Sequence, residues 1–254
     1  MDIPLLNVQN ISKNIKIKKM LFYKKNISIL NAINFELNQA ETLVIMGENG
    51  SGKSTLIKIL AGITQASSGL IEINGDRNIF YNSSHRTRLI RMIFSYSSDS
   101  LNPSLKIGDI LENPLKTNTN MNSNERKIRV NNILKKVGLL SEHATFYSSM
   151  LSAGQKQRVM IARSLILQPS IIISDESING LDISIRAQIL NLLIDLQKEM
   201  GLSYIFISQN VDLAKHLSDK VIILKNGEIV EQGPTKDVLF NPQENYTKKI
   251  ISFE

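Results

Sequence analysis

The chain has no cysteine in 254 residues. That excludes disulfides, thiolate metal sites and cysteine nucleophiles, leaves redox chemistry without a protein thiol, and agrees with a reducing compartment. Histidine is nearly as scarce, with only His85, His143 and His216 present, and His216, in an apparent helix, reads as a surface or helix-end residue. No apolar run approaches the length of a membrane span, and Met1-Asp2-Ile3-Pro4 does not open a signal-peptide pattern, so the chain is expected to remain in the cytoplasm. Acidic side chains are outnumbered 23 to 30 by Lys and Arg, a net charge of +7, which attracts anionic surfaces at long range. The lysines are scattered through an Ile-, Asn- and Lys-rich sequence, however. The one local cluster, Lys16 to Lys25, reads as a solvated loop, and nucleic acid is not expected as a partner.

What remains is an ordinary globular composition, 42% hydrophobic and 21% charged, long enough to bury one full core. Within it Gly47-Glu48-Asn49-Gly50-Ser51-Gly52-Lys53-Ser54-Thr55 forms a phosphate cradle. The apolar run Leu43 to Met46 reads as a buried strand feeding the loop, and Leu56, Ile57, Ile59 and Leu60 continue it as a helix. The glycines let the backbone curl so that successive N–H groups point inward, and the helix N-terminus adds its positive dipole end. Lys53 is placed to reach the β- and γ-phosphates of a nucleotide and Ser54 to ligate Mg²⁺.

Around this cradle the pattern alternates strands and helices, which predicts an α/β fold with a parallel sheet. Leu5 to Val8 and Ala32 to Leu37 suggest small antiparallel strands, and Ile71-Glu72-Ile73-Asn74-Gly75 another strand ending in a tight turn. From about Asn113 to Asn132 the chain is polar and asparagine-rich, and Ile128, Ile133, Leu134 and Val137 then recur at helical spacing, as in a helical insertion. Strands return at Ile171-Ile172-Ile173 and Tyr204 to Ile207, separated by a helix whose apolar face is Ile185, Ile189, Leu192, Leu193 and Leu196. Val221 to Leu224 and Ile229-Val230 flank Asn226-Gly227 as a hairpin, and Leu239 to Phe253 reads as a closing helix interrupted by Pro242.

Downstream motifs narrow the class. Leu151-Ser152-Ala153-Gly154-Gln155 precedes a helical segment, and Ile171-Ile172-Ile173-Ser174-Asp175-Glu176 follows. In that order they resemble the signature and acidic strand of the ATP-binding cassette (ABC) family. Arg91-Met92-Ile93-Phe94, Ser100-Leu101-Asn102-Pro103, Gly154 to Arg158 and Ala162-Arg163-Ser164-Leu165 are similar to its oligopeptide and dipeptide transporter branch. Val137-Gly138-Leu139-Leu140, Met150-Leu151 and Ser203 to Phe206 with Gln209 resemble the Sap-type members of that branch. The resemblance implies a single ABC ATPase domain over 1–254. Residues 1–95 and 165–254 would form a P-loop core with its antiparallel β subdomain, and 96–164 an inserted α-helical subdomain.

It further implies that Mg-ATP binds between head-to-tail subunits. Ser152, Gly154 and Gln155 would serve the γ-phosphate on the opposite subunit, Asp175 the metal's water shell, and Glu176 the attacking water as general base. Asn179-Gly180-Leu181-Asp182 falls at the family's D-loop. Implied partners are two membrane permeases, a second ABC ATPase and a periplasmic solute-binding protein, with the chain peripheral to the cytoplasmic face of a bacterial membrane. Peptides or related small cationic solutes are the implied cargo.

Three positions depart from the family pattern. Ser95 stands where the Q-loop glutamine belongs, and Gln209 where the H-loop histidine does. Glutamine donates a hydrogen bond but carries no charge near neutral pH. The adenine-stacking aromatic falls near Ile15, where only an aliphatic contact is available; Phe22 and Tyr23 read first as core packing and second as substitutes. Mg-ATP binding is therefore expected to outlast fast hydrolysis at this chain's own site. Two readings compete with a transporter ATPase: a regulatory ATP-binding subunit with little turnover, and a soluble ABC ATPase of DNA repair or translation.

Overall fold

The computed structural model describes residues 3–20, 23–77, 83–93, 101–175 and 182–252. They fall into two compact units, Met1–Ile90 with Ser203–Glu254, and Arg91–Leu202.

The first unit holds two sheets. Strands β1 (Leu6–Met20) and β2 (Tyr23–Leu37) are each fifteen residues long and pair antiparallel, and β4 (Ser68–Ile73) adds to the other edge of β1. These strands are far longer than the short apolar stretches predict. Buried Leu6, Val8, Ile11, Leu30, Ile33, Phe35 and Leu37 fill the covered part. Beyond Ser12↔Ser68 the ladder continues as a two-stranded arm. The run Lys16 to Lys25 is therefore not a loop along its length. Its backbone pairs Ile17 with Lys25 and Lys18 with Lys24, and the alternation Ile15-Lys16-Ile17-Lys18 has the period of a strand. Leu21 and Phe22 lie outside the described residues.

The second sheet of this unit runs in the order β7 (Ser203–Ile207), β3 (Thr42–Met46), β8 (Lys220–Lys225), β9 (Glu228–Pro234). β3 is parallel to both neighbours, with Leu43 opposite Ile205 on one side and Lys220 on the other. All five residues of β3 and all five of β7 are buried, as strands covered on both faces require. β9 returns along β8 through Asn226-Gly227, whose φ angles of 49° and 81° are those of a tight hairpin turn. Helix α1 (Lys53–Leu60) follows β3 and buries Leu56, Ile57, Ile59 and Leu60. α2 is Ser83–Leu89 and α7 is Val211–Leu217. The predicted closing helix is two, α8 (Thr235–Phe240) and α9 (Asn245–Ser252), parted at Pro242, which cannot donate into a helical ladder.

The second unit is mainly helical, with neighbouring strands β5 (Ile90–Ile93) and β6 (Ile171–Asp175). Its helices are α3 (Ile107–Asn118), α4 (Ser123–Lys136), α5 (Ala153–Leu165) and α6 (Ile183–Met200). α4 starts at a capping box in which Asn122 Oδ1 accepts the Asn124 and Glu125 N–H groups while Glu125 accepts that of Asn122. Its buried residues are Val130, Ile133 and Leu134, whereas Ile128 is 61% exposed. Ile128 lies five positions before Ile133, about 140° round the helix, and so leaves the apolar face that Val130, three positions before, shares. After α4, Gly138 has φ 72°, and a Cβ there would meet Arg158 Nη1 at 2.7 Å. That same nitrogen donates to Val137 O at 2.7 Å, so glycine permits both the helix cap and the guanidinium's approach. On α6, Ile189, Leu193 and Leu196 are buried and the predicted flanking positions Ile185 and Leu192 are half-buried.

Candidate nucleotide site

The cradle is the loop between β3 and α1. Gly47 has φ 149°, and a Cβ there would lie 2.2 Å from Leu224 O, so no other residue fits against β8 without moving backbone. Gly52, at the N-cap of α1, has φ 109° and no side-chain cap. The first intrahelical bond is Leu56 N–H to Gly52 O at 2.9 Å, which leaves the Lys53, Ser54 and Thr55 N–H groups outside the helical ladder, as at any helix start. Lys53 is 5% exposed. Its Nζ donates to Gly47 O at 2.6 Å and to Glu48 O at 2.9 Å. Ser51 Oγ is buried without a hydrogen-bond partner. N–H groups at a helix start with no side-chain cap, an enclosed ammonium and an orphaned hydroxyl at one curled loop are a donor set suited to an anion of several oxygens.

Side chains and backbone from distant parts of the chain hold this loop. Gly227 N–H, in the β8–β9 turn, donates to Ser51 O at 2.8 Å. Gln209, exposed just after β7, donates through Nε2 to Asn49 Oδ1 at 2.9 Å. Tyr246 of α9 accepts the Glu48 N–H at 3.2 Å. The sequence pattern marks Gln209 but not Tyr246. The contact joins residues 198 apart, and no local periodicity reports it.

In the second unit, Ser152 is the N-cap of α5. Its hydroxyl accepts the Gln155 N–H at 3.3 Å, and Gln155 Oε1 accepts the Ser152 N–H at 2.9 Å. This is a complete capping box, and it leaves the hydroxyl proton of Ser152 available to an outside acceptor. Ser152 is exposed and Gly154 half-buried. Gln155 Nε2 also lies 3.4 Å from His143 Nε2, a buried ring that fixes the glutamine from behind. Asp175 ends β6 half-buried.

Glu176, Ser95 and Asn179 to Leu181 lie outside the described residues, as does Phe22. Asp182 is the N-cap of α6, but its side chain makes no capping bond. Ile15 pairs with Ile27 and is 40% exposed, an aliphatic surface at the position where the resemblance expects an aromatic one. Arg91 lies in a groove of about 420 Å³ with Asn102, Asn113, Thr117, Asn118 and Arg163. Burial, and then the neighbouring Arg163 charge, lower its pKa.

The family model described as ABC transporter matches residues 30–179. The chain is 42% identical over 248 residues to the putrescine export system ATP-binding protein SapF of Escherichia coli (strain K12), covering 98% of this chain and 92% of that protein. It is 41% identical over 254 residues to the dipeptide transport ATP-binding protein DppF of Haemophilus influenzae, covering 98% and 77% respectively. Among solved structures, the ATP-binding cassette MJ0796, a dimer in a post-hydrolysis state bound to ADP and Pi, matches with TM-score 0.74 and 27% identity over 91% of this chain and 98% of that one.

Proposed function

This chain belongs to the ABC transporter family as one of its ATPases, and from that premise we propose that it is the nucleotide-binding, energy-coupling subunit of a membrane transporter. Its cargo is peptides or related small cationic solutes. One relative is named for putrescine export and another for dipeptide transport, and both cargo classes carry cationic amines. The observation that carries the reading is the pairing, in one chain, of the uncapped cradle at α1 with a separate serine-capped helix start at α5. In a head-to-tail dimer the cradle of one subunit and the signature of the other serve the same nucleotide. The dimeric neighbour bound to ADP and Pi supports that arrangement.

We assign Lys53 and the Gly50 to Thr55 backbone to the phosphates, Ser54 and Asp175 to Mg²⁺, and Ser152 with Gly154 to the partner's γ-phosphate. Bound Mg²⁺ neutralises phosphate charge. Glu176 polarises the attacking water, and Ser95 with Gln209 position it less well than the family's glutamine and histidine, so hydrolysis at this site is slow. The second subunit, whether another copy or a related ATPase, is the partner in the dimer. Two permeases dock on the ATPase pair, and a solute-binding protein delivers cargo. We place the permease contact of this chain at the Arg91 and Arg163 groove. No described helix is long and apolar enough to cross a membrane, and the permeases supply attachment to the cytoplasmic face.

Permease-dependent co-fractionation with membranes is the expected result. Fractionation with DNA or ribosomes in the absence of permeases would instead favour the soluble ABC class. Glu176→Gln should keep Mg-ATP binding and slow the remaining hydrolysis, since the amide keeps shape and loses basicity. Unchanged turnover would remove Glu176 from the role of base.

A further inference from the structure

The last helix of the chain reaches back to the cradle. Its start is anchored on β9, where Glu231 Oε1 accepts the Gln243 N–H at 2.8 Å and Oε2 accepts the Glu244 N–H at 3.2 Å. Both amides immediately precede α9, so a carboxylate also sits at the positive end of its dipole. From there the first turn carries Tyr246 to Glu48, whose N–H donates to the phenol oxygen at 3.2 Å. The Lys225 ammonium lies 4.6 Å from the centroid of the Tyr246 ring, which ties the ring to the end of β8 as well. One turn along α9, Lys249 Nζ stands 3.9 Å from Glu48 Oε1. Both of those side chains are more than half exposed, so that ion pair contributes little.

The Glu48 N–H belongs to the same rigid peptide plane as the Gly47 carbonyl, and that carbonyl accepts Lys53 Nζ at 2.6 Å. Tyr246 therefore grips one edge of the plane whose other edge holds the cradle lysine. Gly47 offers no Cβ to restrain this peptide, so its tilt depends on what its two ends touch.

We propose that Tyr246 is a positioning residue for the nucleotide cradle: by accepting the Glu48 N–H it sets the tilt of the Gly47 to Glu48 peptide on which Lys53 rests, and so tunes nucleotide affinity. This rests on the cradle being the ATP site. Tyr246→Phe keeps the ring and its contact with Lys225 and removes only the phenol oxygen that accepts the bond. In the full chain it should raise the Kd for Mg-ATP and Mg-ADP about fivefold, which corresponds to ~1 kcal/mol for one neutral hydrogen bond. Amide hydrogen exchange at Glu48 should accelerate in the same variant, while the Leu213 amide, capped by Asn210 at 2.6 Å, keeps its protection.

A tyrosine that only packs α9 in place would lower the melting temperature and leave Kd and Glu48 exchange unchanged, and that result overturns the proposal. Calorimetric titration of Lys53→Ala alongside separates the two assignments. If Lys53→Ala still binds ATP, the cradle reading fails. If Lys53→Ala loses ATP and Tyr246→Phe is silent, only the role of Tyr246 fails.

Discussion

Gln209 and Asn49, 160 residues apart in sequence, share a hydrogen bond in which Gln209 Nε2 donates to Asn49 Oδ1 at 2.9 Å. The residue that the resemblance sets at the H-loop histidine position is thus tied to the rim of the cradle. An amide spent on Asn49 is one donor fewer for a developing charge on the γ-phosphate.

Restoring His at Gln209 together with Gln at Ser95 should raise turnover at this chain's own site, on the order of tenfold or more given what one preorganised donor contributes. Single-turnover hydrolysis in a heterodimer whose partner has lost its cradle lysine isolates that site. No gain despite normal assembly and ATP occupancy would mean that these two positions do not limit it.

Lys53 is enclosed, and its Nζ rests on two carbonyls of its own loop. Lys53→Ala should weaken Mg-ATP binding by roughly one to two orders of magnitude, the worth of a lost charge-assisted bond. The circular dichroism spectrum should not change, since the buried apolar face of α1 is untouched. Calorimetric titration checks the first expectation, and unaltered affinity would dismiss the phosphate site.

Ser152 caps α5, and the proposed function gives it a second, separable role at the partner's γ-phosphate. Ser152→Ala removes the hydroxyl that accepts the Gln155 N–H and should cost about 1 kcal/mol of stability in urea unfolding. Ser152→Arg should in addition cripple hydrolysis at the partner's nucleotide while leaving ATP binding in this chain's own cradle intact. Equal turnover of the Arg variant and wild type in the heterodimer would refute the trans role.

Glu112 gives the helical unit an acid-sensitive link. Arg126 Nε donates to it at 2.7 Å and Lys116 lies 3.4 Å away. The Arg126 hydrogen bond outweighs the opposing effect of burial and, with both cations, holds its carboxyl below the usual range. A carboxylate with a lowered folded-state pKa stabilises above its unfolded pKa, and that contribution disappears as pH falls through the lowered folded value. The melting temperature of wild type should therefore exceed that of Glu112→Gln at neutral pH, and the gap should close on acidification. A gap independent of pH would locate the stabilisation in packing instead.

Features built from contiguous residues are legible in the chain itself. The cradle is a loop whose glycines and helix start occur within nine residues, so its motif is local. The Asn226-Gly227 turn is equally local, since two residues with positive φ select a tight hairpin between flanking strands. The burial of β3 from Leu43 to Met46 follows from an uninterrupted apolar run. Segments whose pattern misleads do so for a common reason. Lys16 to Lys25 reads as a solvated loop from its charge, and only the pairing of Leu6–Met20 with Tyr23–Leu37 makes its described backbone a ladder. Ile128 is apolar, yet the face of α4 is chosen by what packs against Val130, Ile133 and Leu134.

The sequence alone therefore determined the membership of the ABC transporter family, and it carried the expectations of a phosphate cradle and of departures at Ser95 and Gln209, because each motif depends on residue type at short spacing. Tertiary structure alone decided what holds the cradle. Gln209 meets Asn49, Gly227 meets Ser51 O and Tyr246 meets Glu48 only because β7, the β8–β9 hairpin and α9 converge on one loop within the first unit. Hydrogen bonds between residues more than 150 positions apart leave no period in the chain, since their partners are chosen by the fold and not by their neighbours in sequence.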